Sequence, residues 1–373
     1  MQQPTPRSNL DRALRWAVGI GVGVLFTWLA ARSWPVDKLF AGDLVLSREH
    51  GTASLLMRTD DGLTTWSLSL SHLFGYFVVL ALIHFWRVLR WMPLVRPFAP
   101  VTFASLNRIG AVGFMAVFLL PLRLGELARP ALLARDGKVP FGTGLTMIAV
   151  ERVSDGLMVS LMLFGVLMTV PASALERAPA VGHAAVIAIS VFSAAMAGLI
   201  AMSVARKQTT RLVQATFGRV SGALAARILG LLTTFIDGLR VLGSPAAVVQ
   251  FVVLTAGYWL TNGFGIWLMA RGFGLELPLS AGYTMMCCVV VGMMIPNSPG
   301  NVGSFWYFLL MPTGLYGVDA ASPAAVAFAL MVWLTQLIQV SVFGGIGAYA
   351  RSRAAAVAAA RERGAVANSP VAS

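Results

Sequence analysis

Between residues 121 and 155 the chain sets six ionisable side chains into sequence that is otherwise strongly apolar. Pro-Leu-Arg-Leu-Gly-Glu-Leu-Ala-Arg-Pro at 121–130 supplies Arg123, Glu126 and Arg129, and Glu-Arg-Val-Ser-Asp at 151–155 supplies Glu151, Arg152 and Asp155. On a helix, residues three and four apart share a face. Arg123, Glu126 and Arg129 then make a ladder of alternating sign, and Glu151 and Asp155 stand one turn apart with Arg152 beside them. A guanidinium is a planar fork suited to phosphate, and a carboxylate can hold such a fork or pass a proton. Two readings stay open. Three positive and three negative groups can neutralise one another and pin helices together, or they can line a polar cavity for a charged head group. With the charges balanced, an anion enters only by displacing or protonating a carboxylate, which predicts a proton-linked cycle. Glu151 and Asp155 also admit an acid–base pair, but no His or nucleophile joins them in a recognised catalytic arrangement. No catalytic residue and no cofactor is therefore assigned.

The elements that must position these groups are apolar and long. The chain is 57% hydrophobic and 12% charged, about half the usual share of charge in a soluble domain. Apolar runs at 18–31, 157–170, 184–204 and 248–270 reach or approach the ~20 residues a helix needs to cross the hydrocarbon core. Unbroken runs favour helices over a membrane barrel, whose strands would alternate. The expected fold is an all-α, polytopic integral membrane bundle of eight or nine embedded segments. The first segment, preceded by Arg7, Arg12 and Arg15, reads as a retained signal anchor. Cys287 and Cys288 are adjacent and fit no metal or disulfide spacing. His72, His84, His50 and His183 are too scattered for a metal site. Trp16, Trp34, Trp66, Trp86 and Trp91 fall near span ends, as an aromatic belt would. Gly19-Ile-Gly-Val-Gly23 reads as close helix packing.

Basic residues cluster at the N-terminus, at 87–108, at 206–240 and in the tail, and the positive-inside rule sends all four to the cytoplasm. Net charge +13 is thus assigned to topology and anionic lipid, not to nucleic acid. The acidic segment 35–62 suits the outer face. Counting crossings leaves 101–135 with both ends inside, so it is expected to be a re-entrant hairpin that turns near Pro121. Gly125 is expected to let a neighbouring helix or head group approach Glu126. A second break, Ile295-Pro-Asn-Ser-Pro-Gly-Asn-Val-Gly303, interrupts the other half. Paired interruptions opened from opposite faces are the pattern of inverted repeats. One transmembrane domain is expected over 1–350, with halves at about 10–204 and 246–350 joined by an amphipathic cytoplasmic linker at 205–245. A basic, disordered cytoplasmic tail is expected over 351–373.

Three stretches carry a family resemblance: Arg-Leu-Gly-Glu-Leu-Ala-Arg at 123–129, Glu-Arg-Val-Ser-Asp at 151–155 and Pro-Asn-Ser-Pro-Gly-Asn-Val-Gly at 296–303, with Arg90-Trp91 after the second span. In order and type they resemble the transmembrane, flippase-like region of lysylphosphatidylglycerol synthases, over roughly residues 10–350. Asn301 stands where that family often has Gly, and Trp306 about where it has Glu. The resemblance implies an inner-membrane, multi-pass protein with cytoplasmic termini that moves a phospholipid or a polyprenyl-phosphate-type lipid between leaflets. No aminoacyl-transferase domain is expected after residue 350. The implied substrate-binding set is Arg123, Glu126, Arg129, Glu151, Arg152, Asp155, Pro299, Gly300 and Gly303. Expected partners are membrane lipids, envelope-biosynthesis enzymes or a second copy of the chain. The alternatives are a membrane-embedded enzyme modifying a lipid head group and a structural subunit of an envelope enzyme.

Overall fold

The computed structural model describes residues 6–49, 52–170, 179–204, 244–293 and 298–367. The expected linker at 205–245 lies almost wholly outside them. Helix α1 (Pro6–Ala31) and a single turn, α2 (Val36–Leu39), lead into a three-stranded antiparallel meander of β1 (Asp43–Glu49), β2 (Thr52–Arg58) and β3 (Thr64–Ser69). Helices α3 (Leu70–Leu89), α4 (Met92–Val95) and α5 (Phe103–Leu119) follow. A 3₁₀ segment (Pro121–Leu127) turns the chain into α6 (Ala128–Arg135). Then come α7 (Phe141–Leu167), α8 (Pro179–Val204), α9 (Pro245–Gly272) and α10 (Leu279–Gly292). A short 3₁₀ turn (Pro299–Asn301), α11 (Ser304–Leu310) and α12 (Pro323–Ala367) complete the order.

The meander corrects the all-helical expectation. Thr59-Asp-Asp-Gly-Leu63 carries the Asp-Gly signature of a hairpin. Gly62 takes φ +78° and Thr59 N donates to Leu63 O at 2.9 Å. Pairing places Leu46 opposite Leu55 and Leu55 opposite Leu68, whose side chain is fully buried. β3 then runs straight into α3.

Two apolar clusters form the core. The larger gathers α3, α7, α9, α10, α11 and α12 around Tyr76, Leu163, Trp259, Met285 and Phe328. The smaller gathers α4, α5, α6 and α7 around Trp91, Ile109, Leu133 and Met147. The outer faces are also apolar. Phe74, Phe77, Val78, Leu82 and Phe85 form an exposed stripe on α3, and Val249, Val252, Val253, Leu260 and Phe264 form one on α9. Faces of that kind are solvated by lipid, not water.

Among the described residues, three helical stretches are long and apolar enough to cross a membrane: Leu70–Val95, Pro245–Gly272 and Pro323–Val357. Shorter apolar runs lie in α1, α5 and α10. α7 has the length, 27 residues, but carries Glu151, Arg152 and Asp155 at its middle. α12 does not stop near 350. It continues to Ala367, so the expected disordered tail is helical as far as that residue; Ala, which fills this stretch, is the strongest helix former.

Candidate functional site

α7 presents its charged turn inward. Ile148, Glu151, Asp155 and Val159 recur at helical spacing on its buried face. Opposite stands Arg90, the residue that ends α3, lying between Val88 of the smaller cluster and the Tyr258 ring of the larger. Arg90 donates to Glu151 Oε1 at 2.7 Å and to both oxygens of Asp155, at 3.0 Å on Oδ2 and more closely on Oδ1. Its guanidinium lies 4.4 Å from the centre of the Tyr258 ring. The sequence reading put Arg90 among cytoplasmic charges. It is instead fully buried, and it is the clamp of the cluster. Trp91, expected in an aromatic belt, is buried as well, with the Arg129 guanidinium 5.1 Å from its ring.

Arg129 enters from the first turn of α6, sandwiched between Trp91 and Phe114, and pairs with Glu151 Oε2 at 2.8 Å. Gly113 of α5 makes that position possible, since a Cβ there would fall 2.3 Å from Arg129 Cγ. Arg152 spans the two acids, 2.9 Å from Glu151 Oε1 and 3.1 Å from Asp155 Oδ2. Trp259 Nε1 donates to Asp155 Oδ1 at 3.0 Å.

The segment between α5 and α6 is folded back hard. Leu122 and Arg123 adopt left-handed backbone (φ 53° and 58°), a costly state for residues with side chains. Gly125 sits against the backbone of Ala116, where a Cβ would lie 2.1 Å from its carbonyl carbon. The close approach read from Gly125 is thus made by the chain's own α5. The strain aims Arg123 across the molecule: it pairs with Glu126 at 2.8 Å and donates to Met293 O at 3.1 Å, at the C-terminal end of α10. A cation suits that end of a helix.

These groups border a cavity of ≈ 160 Å³, room for about five waters or one phosphate-sized group. Arg123, Glu126, Arg129, Arg152 and Asp155 line it, with Glu151 and Arg90 directly behind. Arg87, Tyr258, Asn262, Asn301, Gln336 and Gln339 add polar lining, and Phe114, Phe118 and Val289 the apolar wall. Arg87 lies one turn before Arg90 on α3 and donates to Tyr258 Oη at 3.0 Å. The site therefore holds five arginines against three carboxylates, not the balanced six. The charge balance on which the expected proton-linked cycle rests is thus not the balance of this cluster. The buried Nε–H groups of Arg129 and Arg152 and the Nδ2 of Asn301 have no hydrogen-bond partner among the described residues.

The second break divides differently from expectation. Asn301, at φ 54°, lines the arginine cavity. Gly300 (φ 68°) gives its carbonyl to Trp333 Nε1 at 2.7 Å. Pro299 and Val302 face away, onto an apolar groove against α1 that includes Gly23, Val24 and Thr27. Gly303 (φ 81°) packs on the same helix, where a Cβ would lie 2.3 Å from Thr27 N. Of the nine sequence-predicted residues, five line the cavity, Glu151 backs it, Gly300 bonds Trp333 outside its lining, and Pro299 and Gly303 contact α1. Arg87, Arg90, Trp259 and Gly113 are the members that sequence reasoning missed. No group of His, Cys, Asp or Glu among the described residues could hold a metal ion. Cys287 and Cys288 are buried free thiols, Cys287 Sγ 3.5 Å from Val159 O.

Comparison with known proteins identifies a family. The model of the lysylphosphatidylglycerol synthase TM region matches residues 51–344. Over 253 residues the chain is 23% identical to the protein named Glycosyltransferase AglD of Haloferax volcanii, covering 61% of this chain and 40% of that one. It therefore spans well under half the length of that relative. No solved structure matches.

Proposed function

The chain belongs to the lysylphosphatidylglycerol synthase transmembrane-region family, and on that premise we propose that it carries a lipid with a phosphate-containing head group across the inner membrane. The carrying observation is the arginine excess around the cavity. Arg123, Arg129 and Arg152 engage the phosphate, Glu151 and Asp155 hold the arginines in register, and Arg90 fixes both acids from behind. Glu126 positions Arg123. The substrate is a phospholipid or a lipid-linked molecule of the polyprenyl-phosphate type, and both termini are cytoplasmic.

The path is supported by the broken elements. α6, eight residues and about 12 Å long, cannot cross a core of about 30 Å. With α5 it makes a hairpin that we read as re-entrant from the cytoplasm. α10 and α11, 14 and 7 residues, are likewise short and flank the second break. Two interrupted hairpins, one in each half, fit an inverted repeat with the site at their meeting point.

A second reading, a membrane-embedded enzyme, draws on the name of the Haloferax relative. The geometry favours it less: each candidate acid is engaged by at least two guanidinium groups, which suits a holder of arginines more than a proton carrier. Reconstitution into vesicles with head-group-labelled lipid separates the readings. Movement of unaltered lipid to the opposite leaflet, reduced at least ~10-fold in Arg123→Gln (the loss of one charge-assisted contact), supports transport. A chemically altered lipid, or equal rates in protein-free vesicles, rejects it.

A further inference from the structure

A second basic site lies away from the arginine cavity and shares no lining residue with it. Where α5 and α12 diverge beside the α6–α7 turn, a cleft of ≈ 540 Å³ opens, within the range of small-molecule sites. α5 contributes Arg108, the turn contributes Arg135, Asp136 and Lys138, and α12 contributes Arg351. Its floor is made of small side chains. Gly347 lets α12 lie against α5, where a Cβ would stand 3.0 Å from Ala111 Cβ and 3.2 Å from Arg108 O.

The charge in this cleft is not self-compensated. Asp136 is taken up on both oxygens by Arg351, at 2.8 and 2.9 Å. That bidentate pair fixes the turn to α12 and uses the only carboxylate that lines the cleft among the described residues. Arg108 lines the cleft and spends its Nε on its own helix, at 3.3 Å from Ala104 O, with no ion-pair partner among the described residues. Arg135 and Lys138 have no ion-pair partner among the described residues, and Lys138 is half-buried in spite of it. Three uncompensated cations converge from two elements at the polar end of two apolar helices, Phe103–Leu119 and Pro323–Val357.

We propose that this cleft binds the phosphodiester head group of an anionic phospholipid, held by Arg108, Arg135 and Lys138 beside the Asp136–Arg351 pair. Position selects the lipid over a free anion. The cleft lies toward the N-terminal end of the apolar run of α5 and the C-terminal end of that of α12, and basic pockets between membrane helices recognise such lipids. The site is independent of the transport reading, because its residues touch none of the cavity groups.

Native mass spectrometry of the full chain, released from nanodiscs of phosphatidylglycerol and phosphatidylcholine, tests it. Wild type is expected to retain phosphatidylglycerol preferentially at this cleft. Arg108→Gln with Lys138→Gln should lower that preference ~30-fold, from about fivefold per lost cation near the head groups. Arg108→Lys with Lys138→Arg should keep it, and Arg123→Gln should leave it unchanged while weakening the other cavity. Equal preference in wild type and the double Gln variant overturns the proposal. Displacement of the lipid by inorganic phosphate in the millimolar range overturns its lipid identity. Should the double Gln variant fail to fold, preference in wild type must fall as NaCl is raised; a salt-independent preference is equally fatal.

Discussion

Replacing Arg90 with Met separates the arginine that builds the site from those that face its cavity. The side chain keeps its apolar stem and loses every donor. Three hydrogen bonds go, one to Glu151 at 2.7 Å and two to Asp155, together with the 4.4 Å contact over Tyr258. A hydrogen bond to a charged group is worth about 1.5–3 kcal/mol, so three independent ones would sum to about 5–9 kcal/mol. They are not independent. Glu151 keeps Arg129 at 2.8 Å and Arg152 at 2.9 Å, and Asp155 keeps Arg152 at 3.1 Å and Trp259 at 3.0 Å. With two partners left to each acid, the expected loss falls to about 3 kcal/mol, the lower end for breaking a buried pair. Equilibrium unfolding in mixed micelles, followed by tryptophan fluorescence, reads it directly. The cause is checked by adding Asp155→Asn to Arg90→Met. If uncompensated carboxylate charge is the source, the second change restores about 1 kcal/mol, although Asp155→Asn alone destabilises. An Arg90→Met protein within about 0.5 kcal/mol of wild type, the range of an ordinary surface change, would refute the clamp.

Gly113→Ala puts a methyl group 2.3 Å from Arg129 Cγ, and should cost about 1–3 kcal/mol as an overpacked core change. It should also weaken lipid retention in the cavity; unchanged retention would show that Arg129 does not bind substrate. The Arg351 hydrogen bonds hold the Asp136 carboxyl below the usual carboxylate range. A depressed carboxylate stabilises the fold above its unfolded value of about 3.9 and loses that contribution as pH falls through the lower, folded value. The unfolding free energy of wild type should thus exceed that of Asp136→Asn at pH 7 by the small amount of a largely exposed pair, about 0–1 kcal/mol. The gap should close as pH falls through that lowered value, and one that persists in full once the carboxyl is protonated would have another cause.

Local spacing made the α7 half of the site legible and left the other half hidden. Glu151, Arg152 and Asp155 lie within two turns of one helix, so their common face follows from helical geometry. Arg129 joins them through the packing of α6 on α7, not through its expected ladder, which the left-handed backbone at Leu122 and Arg123 breaks. Arg87 and Arg90 also lie one turn apart, but a basic pair next to Trp at the end of an apolar run has the same form as an interface anchor. Only the packing of α3 against α9 brings Tyr258 under Arg90 and shows it to be inside. Gly113 was illegible for a related reason, since its purpose is the stem of a side chain sixteen positions later. The hairpin at Thr59–Leu63 was legible in its Asp-Gly pair, and was missed because the surrounding composition pointed to helices alone. The break at 295–303 was located correctly as a break. Which of its residues turn toward the arginines depends on left-handed backbone at Asn301 and Gly300, and sequence does not display that at an Asn.

The choice between an ion-pair bolt and an anion cradle turns on how the arginines are spent. In a bolt each guanidinium is consumed by carboxylates and the sum is neutral, since uncompensated buried charge is costly. Arg90 meets that description, with its terminal nitrogens on two acids and a ring over its face. Arg123 does not. It has one acid, Glu126, itself on the cavity wall, and directs its other terminal nitrogen to a backbone carbonyl. Arg129 and Arg152 share Glu151 with Arg90; all three keep a buried Nε–H unpartnered among the described residues, but Arg129 and Arg152 line the cavity and Arg90 does not. Three carboxylates divided among five arginines leave positive charge next to open volume, and that charge needs an anion to offset it. On the proposed function, the phosphate of the head group supplies that negative charge, and Arg90 is the residue that keeps the acids in place after release. The bolt and the cradle are thus two layers of one assembly, the first of which makes the second reusable.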